Sequence, residues 1–287
     1  MSTKFIFSIF LFSPLIAFGE LKIVATTTTT ESIIKEIGRN KIKISAVAQG
    51  PQDPHYLEAK PSYMLAMSSA DLVVANGLEL ESGWLPLILR GARNANVQVG
   101  TKGYLELCSL VEAIEIPNKV DRAEGDVHPS GNPHCLLDPV RVGLIAPQIA
   151  NRLSELDPAN KNFFQANLKS FGEKLTKNLA DWKTRLSGVA ATPVITYHKT
   201  LSYFLARFNL AHAAFIEPKP GIPPTARHIM GLIEIIKNKK VGCILIESFF
   251  ETDSAVRLNK ETGVLYKRVA AEVGALPEAT DYFSLIE

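Results

Sequence analysis

Residues 127–139 read VHPSGNPHCLLDP and place His128, His134, Cys135 and Asp138 in one short stretch whose prolines and glycine break regular structure. Imidazole nitrogen, thiolate sulfur and carboxylate oxygen are the donors that hold transition metals, and two of the chain's six histidines stand here. A third, His55, lies in QGPQDPHYLEAKPS, where Gly50, Pro51, Pro54 and Pro61 mark a loop ahead of a helix starting near Ser62. A fourth, His198, closes TPVITYH and precedes the helix-like KTLSYFLARFNL. A histidine at the carboxyl end of a strand stands where α/β sheets bind ligands. Singly, each is more often a solvated or packed loop residue. His134, stiffened by Pro133, is preferred over His128, which Pro129 and Gly131 leave freer. His212 reads as a packed or capping residue at a strand start and His228 as part of a solvated helix face. Together His55, His134 and His198 make a three-nitrogen set that suits zinc. Asp138 either caps the helix that Pro139 opens or accepts the second ring N–H of a ligating histidine.

These side chains need elements to position them. Apolar runs recur at 21–25 (LKIVA), 42–47 (IKISAV) and 71–75 (DLVVA), and again at 192–197 (TPVITY), 212–216 (HAAFI) and 241–246 (VGCILI), with helix-like segments between. Strands alternating with helices predict parallel sheets covered on both faces, here as two α/β lobes. Between the lobes, residues 157–188 open with Asp157 as N-cap and Pro158 at the first helical position, and close at Gly188. Phe164, Leu168, Phe171, Leu175, Leu179, Trp182 and Leu186 are spaced 4, 3, 4, 4, 3 and 4 apart, one stripe on one helix. Such a helix is roughly 45 Å long, enough to run along both lobes and restrict their hinge motion. The predicted organisation is a signal peptide at 1–19, an N-terminal lobe at 20–156, the linking helix at 157–188 and a C-terminal lobe at 189–287, with no internal repeat.

At 287 residues and 46% hydrophobic content, the chain can give each lobe its own core. Lys and Arg number 31 against 29 Asp and Glu, with no basic run interleaved with aromatics, which argues against nucleic acid. The opening MSTKFIFSIFLFSPLIAFG combines Lys4, an apolar run from Phe5 to Phe18, and Ala17 and Gly19 before a cleavage point, the anatomy of a secretory signal. A mature, periplasmic protein beginning near Glu20 is expected. No cysteine lies near that point, so no lipid attachment is expected. Cys108, Cys135 and Cys243 allow one disulfide and one free thiol, or three buried thiols, and spacing does not choose.

Five stretches, DPHYLEAKPS (53–62), ADLVVANGLELESGWL (70–85), GNPHCLLDP (131–139), YHKTLSYFLARFNL (197–210) and IEPKPGIPPTARHI (216–229), together resemble the zinc- and manganese-binding extracytoplasmic receptors of metal-uptake ABC transporters. The resemblance implies two α/β lobes bridged by one long rigid helix, with the metal in the cleft between them. It carries the ligand role to His55, His134 and His198, and leaves His128 as an accessory metal-capturing residue. The family's fourth ligand is an aspartate near the C-terminus; here Ala271 falls at about its place, Glu272 is adjacent and Asp281 is downstream. Glu272 is taken first, with Asp281 or water as alternatives. The family's long histidine-rich loop is absent. Three imidazoles favour Zn²⁺ over Mn²⁺, which prefers oxygen donors. The function implied is that of a monomeric periplasmic receptor delivering Zn²⁺ to a membrane permease. Its alternatives are a manganese or iron receptor, a zinc chaperone or adhesin on the same scaffold and, last, a zinc hydrolase, for which no HExxH motif is present.

Overall fold

The computed structural model describes residues 19–121, 125 and 127–287. The expected signal segment 1–18 lies outside these residues. The first lobe runs β1 (Leu21–Thr27), α1 (Thr28–Gly38), β2 (Ile42–Ala48), α2 (Pro61–Ser68), β3 (Leu72–Ala75), α3 (Leu85–Ala92), β4 (Tyr104–Glu106) and α4 (Pro139–Leu156). Helix α5 (Lys161–Ser187) follows. The second lobe runs β5 (Val194–Thr196), α6 (Ser202–Arg207), β6 (His212–Phe215), α7 (Ala226–Lys239), β7 (Cys243–Glu247), α8 (Asp253–Thr262), β8 (Leu265–Val269) and α9 (Tyr282–Ile286).

Each lobe holds a four-stranded parallel sheet, in the order β2-β1-β3-β4 and then β6-β5-β7-β8. The two orders are the same, so the chain repeats an architecture without repeating a sequence. All six apolar runs become strands. The edge strands β4 and β8 carry no such run: β4 is only three residues long, and four of the five β8 residues are exposed. An edge strand needs no apolar residues on both faces, so its sequence signal is weak.

The linking helix forms as the stripe requires. Asp157 caps a single 3-10 turn over Pro158–Asn160, and the α-helix proper runs 27 residues, about 40 Å. Phe164, Phe171, Leu175 and Trp182 are buried in one core that also holds Ile33 and Ile37 of the first lobe and Tyr203, Leu205 and Phe208 of the second. A helix sharing its apolar face with both lobes couples their positions.

The chain boundary expected at 189–287 differs in one respect, because the last residues return to the first lobe. Tyr282 donates its N–H to Ser32 Oγ at 2.9 Å and its hydroxyl to Leu136 O at 3.1 Å, and Phe283 packs on Phe171 with ring centroids 5.5 Å apart. Further up, Thr28 Oγ1 donates to Val273 O at 2.6 Å. The β2–α2 loop presses on the same segment: a Cβ at Gly50 would lie 2.4 Å from backbone atoms of Val273, Gly274 and Ala275, so only glycine fits.

Candidate metal centre

The β2–α2 loop carries His55, the loop between β4 and α4 carries His134, and His198 directly follows β5. The structure brings these three together. Their imidazole nitrogens lie within 4.8 Å of one another, and their ring centroids are 5.2, 5.4 and 5.6 Å apart. Zinc bound at 2.0–2.1 Å needs nitrogens about 3.3 Å apart, so small side-chain rotations close the gap.

Local sequence aims each ring. Asp53 Oδ1 accepts the His55 backbone N–H at 3.0 Å and pairs with the ring Nδ1 at 2.7 Å, an Asx-type turn that orients the imidazole. Trp84, fully buried, donates its indole N–H to Pro54 O at 2.9 Å and fixes the backbone just before. The ring Nδ1 of His198 pairs with Glu217, which sits at the end of β6 on the neighbouring strand. In both pairs Nδ1–H donates to a carboxylate, so the free lone pair is on Nε2, the arrangement that prepares a histidine to bind metal. The Nε2 atoms of His55 and His134 are buried and make no hydrogen bond. A buried polar atom left so costs about 1–3 kcal/mol, which a bound cation would recover.

Asn132 ties the ligand loops to each other. Its Oδ1 accepts the His134 N–H at 2.9 Å, and its Nδ2 donates to Lys199 O at 2.9 Å, one residue past His198. Cys135, next to His134, is disulfide-bonded to Cys108 at the end of β4, while Cys243 is free. Sequence spacing left that pairing open.

Burial holds the His134 imidazole well below its ordinary 6.5, with the like charges of His55, His198 and His128 adding to the shift. It therefore stays neutral, the form a metal needs. Burial alone would raise the Asp53 carboxyl, but its hydrogen bonds to His55 and the His55 charge outweigh that and leave it low. Asp53 is an anion beside the site.

Two sequence readings are corrected. Asp138 is not the outer partner of a ligating histidine. It caps α4 through Val140 N at 2.9 Å, and both its oxygens are held by Arg207, at 2.6 and 2.8 Å. The outer carboxylates are Asp53 and Glu217, both inside stretches that were singled out but neither assigned a role. Asp53 was recoverable from its position two residues before His55; Glu217 depends on which strands become neighbours. Nor does Glu272 join the three histidines. Its Oε2 accepts Thr29 N at 3.0 Å at the start of α1, and burial, outweighing that hydrogen bond, pushes its carboxyl up to about 7. Asp281 caps α9 in a reciprocal pair with Ser284. His128 lies with its ring 5.3 Å from that of His55.

Burial pushes the Glu247 carboxyl, at the end of β7, up to about 8. A carboxyl raised from 4.5 contributes stability that is full below pH 4.5 and is lost as pH rises through about 8. Glu247→Gln is expected to raise the Tm of the metal-free protein at pH 8 by about 5 °C and to change it little at pH 4.5, as read by calorimetry. His134 works in the opposite sense: depressed below 6.5, it destabilises the metal-free fold as pH falls beneath that value.

A cavity of about 610 Å³ opens onto the histidines, lined among others by His128, His134, His198, Glu115 and Lys199. A histidine-lined cleft between two α/β lobes is the architecture that the sequence motifs resemble. Residues 23–287 match the family model described as zinc-uptake complex component A, periplasmic. The chain belongs to this family. As a member of this family it is the metal-binding, extracytoplasmic part of an ABC uptake system and not an enzyme, with a metal as its substrate and a membrane permease as its partner. The metal ABC transporter substrate-binding lipoprotein ScbA of Streptococcus cristatus is 27% identical over 279 residues, covering 94% of this chain and 86% of its own length. The manganese ABC transporter substrate-binding lipoprotein PsaA of Streptococcus mitis is 27% identical over 278 residues, covering 93% and 86%. A crystal structure of ZnuA superposes with a TM-score of 0.76 at 26% identity, covering 93% of this chain and 95% of that one. Among the described residues, no helix is long and apolar enough to cross a membrane. The expectation of a protein without a lipid anchor finds no support in relatives that are themselves lipoproteins.

Proposed function

We propose that this protein captures Zn²⁺ in the periplasm and hands it to the permease, holding the ion through Nε2 of His55, His134 and His198. The observation that carries the reading is the donor set: among the described residues, the group able to hold a metal consists of three imidazoles and no carboxylate. Imidazole suits the borderline ion Zn²⁺, whereas Mn²⁺ prefers oxygen. Asp53 and Glu217 supply two negative charges one bond beyond the ligands, enough to balance a dication in a buried site. All these groups belong to one chain, so a single copy supplies the three ligands.

A manganese receptor is the second reading, and PsaA, named for manganese, favours it. The test is to titrate the metal-free protein with each ion against a competing chelator. Zn²⁺ is expected to load one equivalent tightly, while Mn²⁺ at about 1 μM leaves the site empty. Mn²⁺ loading at that concentration overturns zinc specificity but keeps the receptor; loading by neither ion overturns both.

A further inference from the structure

We propose that residues 76–84, which supply no ligand, are the template on which both ligand loops of the first lobe are set before an ion arrives, with Asn76, Glu79 and Trp84 as positioning residues. The proposal rests on the metal-receptor reading above and says what holds that site in shape. The stretch ADLVVANGLELESGWL carries part of the family resemblance, yet none of it stands in the group of three imidazoles. Leaving β3, it reaches the two loops at equivalent points. Asn76 Nδ2 donates to Pro133 O, the carbonyl directly ahead of His134. Trp84 Nε1 donates at 2.9 Å to Pro54 O, the carbonyl directly ahead of His55. The other side of each peptide group is held too, since Asn132 Oδ1 accepts His134 N–H at 2.9 Å and Asp53 Oδ1 accepts His55 N–H at 3.0 Å. A peptide group is planar, so fixing its oxygen and its N–H fixes the direction in which the next side chain leaves. Glu79 adds a further hold on the His134 loop, accepting Ser130 N–H at 3.2 Å and the Ser130 hydroxyl at 2.6 Å.

The turn itself is held against its own preferences. Gly77, Leu78 and Glu79 follow one another at φ of 90°, 51° and 63°. Left-handed backbone is unfavourable wherever a Cβ is present, and two such residues in a row persist only where their surroundings over-determine them. Glu81, 4% exposed, does so: its carboxyl accepts Asn76 N at 2.7 Å, Gly77 N at 3.2 Å and Thr26 Oγ1 at 2.6 Å, which ties the turn to the end of β1. Cys108 N, donating to Asn76 O at 2.8 Å, ties it to the segment after β4. Asn76 before the left-handed run and Glu79 at its end thus reach the same loop from a fixed base. His198 is held differently, by its own lobe, with Tyr197 O accepting Glu217 N at 3.2 Å. Loops already in place lose less freedom when the ion binds, and affinity rises accordingly.

Histidine ring signals in the NMR spectrum of the metal-free protein read the template one loop at a time. Trp84→Phe keeps an aromatic ring in the core and removes its N–H, so the His55 signals are expected to shift and broaden while those of His134 and His198 stay. Asn76→Leu, and Glu79→Ala at a half-buried position where folding is not at stake, are expected to disturb His134 and spare His55. Zinc affinity, from chelator competition, should fall about tenfold in Trp84→Phe and Asn76→Leu and about threefold in Glu79→Ala. Ile149→Val, a change in the core of α4 that lowers Tm, should leave it unaltered. Ring signals that move together in all three variants, or an affinity that none of them changes, would reduce the segment to a structural part and leave the receptor standing. A wild type that retains no zinc removes the receptor reading and the proposal with it.

Discussion

His198→Ala is expected to weaken zinc binding about 100- to 1,000-fold. Structural zinc sites hold the ion with about 10–16 kcal/mol, and on that scale each of three or four ligands carries about 3–4 kcal/mol, two to three decades in affinity. His198 is 6% exposed, and water entering in its place recovers only part of that. The substitution also takes the imidazole partner from Glu217, a carboxylate only 5% exposed that would keep only the Gly221 N–H, at 3.1 Å. Removing one member of a buried pair is destabilising, so the Tm of the metal-free protein should fall as well. Glu217→Gln separates the two effects: it keeps the ring as ligand and removes only the acceptor that orients it, for an expected 10- to 100-fold loss. Chelator competition on the three proteins gives the ranking. Unchanged zinc affinity in His198→Ala would mean that the ion is bound elsewhere.

Breaking the Cys108–Cys135 disulfide is expected to lower the Tm of the metal-free protein by about 10 °C. The bond spans 27 residues, and closing a loop of that size removes chain entropy worth about 3.5 kcal/mol from the unfolded state. For a chain this long, each kcal/mol moves Tm by about 2–4 °C. The bond also reaches the site. Cys108 N donates to Asn76 O at 2.8 Å, which fixes it at the carboxyl edge of the first sheet, and Cys135 adjoins His134. Cys135→Ser should therefore lose zinc affinity too, and zinc should restore part of the lost Tm by tying the same loop to the other two histidines. Calorimetry of wild type and variant, with and without zinc, reads both effects. Equal Tm values would show that the loop is held without the bond.

Three of the four residues first taken as ligands, His55, His134 and His198, meet in one group, and their local sequence shows why. Each lies just past an apolar run or between turn residues, and in a parallel α/β lobe those positions face the ligand-binding edge of the sheet. The central strands and the linking helix were legible for a similar reason, since burial on both faces writes a continuous apolar run and burial on one helix face writes a 3.6-residue stripe. The edge strand β8, largely exposed, writes neither.

What the sequence by itself determined is the local part: which segments become buried strands, where the loops between them fall, and which loops carry imidazoles. The tertiary structure decided the partners. Glu217 meets His198 across 19 residues because β5 and β6 become neighbours, Cys108 meets Cys135 across 27, and Glu272 meets Thr29 across 243 because the chain returns to its first lobe. No periodicity encodes such pairs. They follow from strand order and from the docking of the last helix, which minimise exposed apolar area over the whole chain, and a carboxylate adjacent to the family's ligand position is thereby carried to a helix terminus.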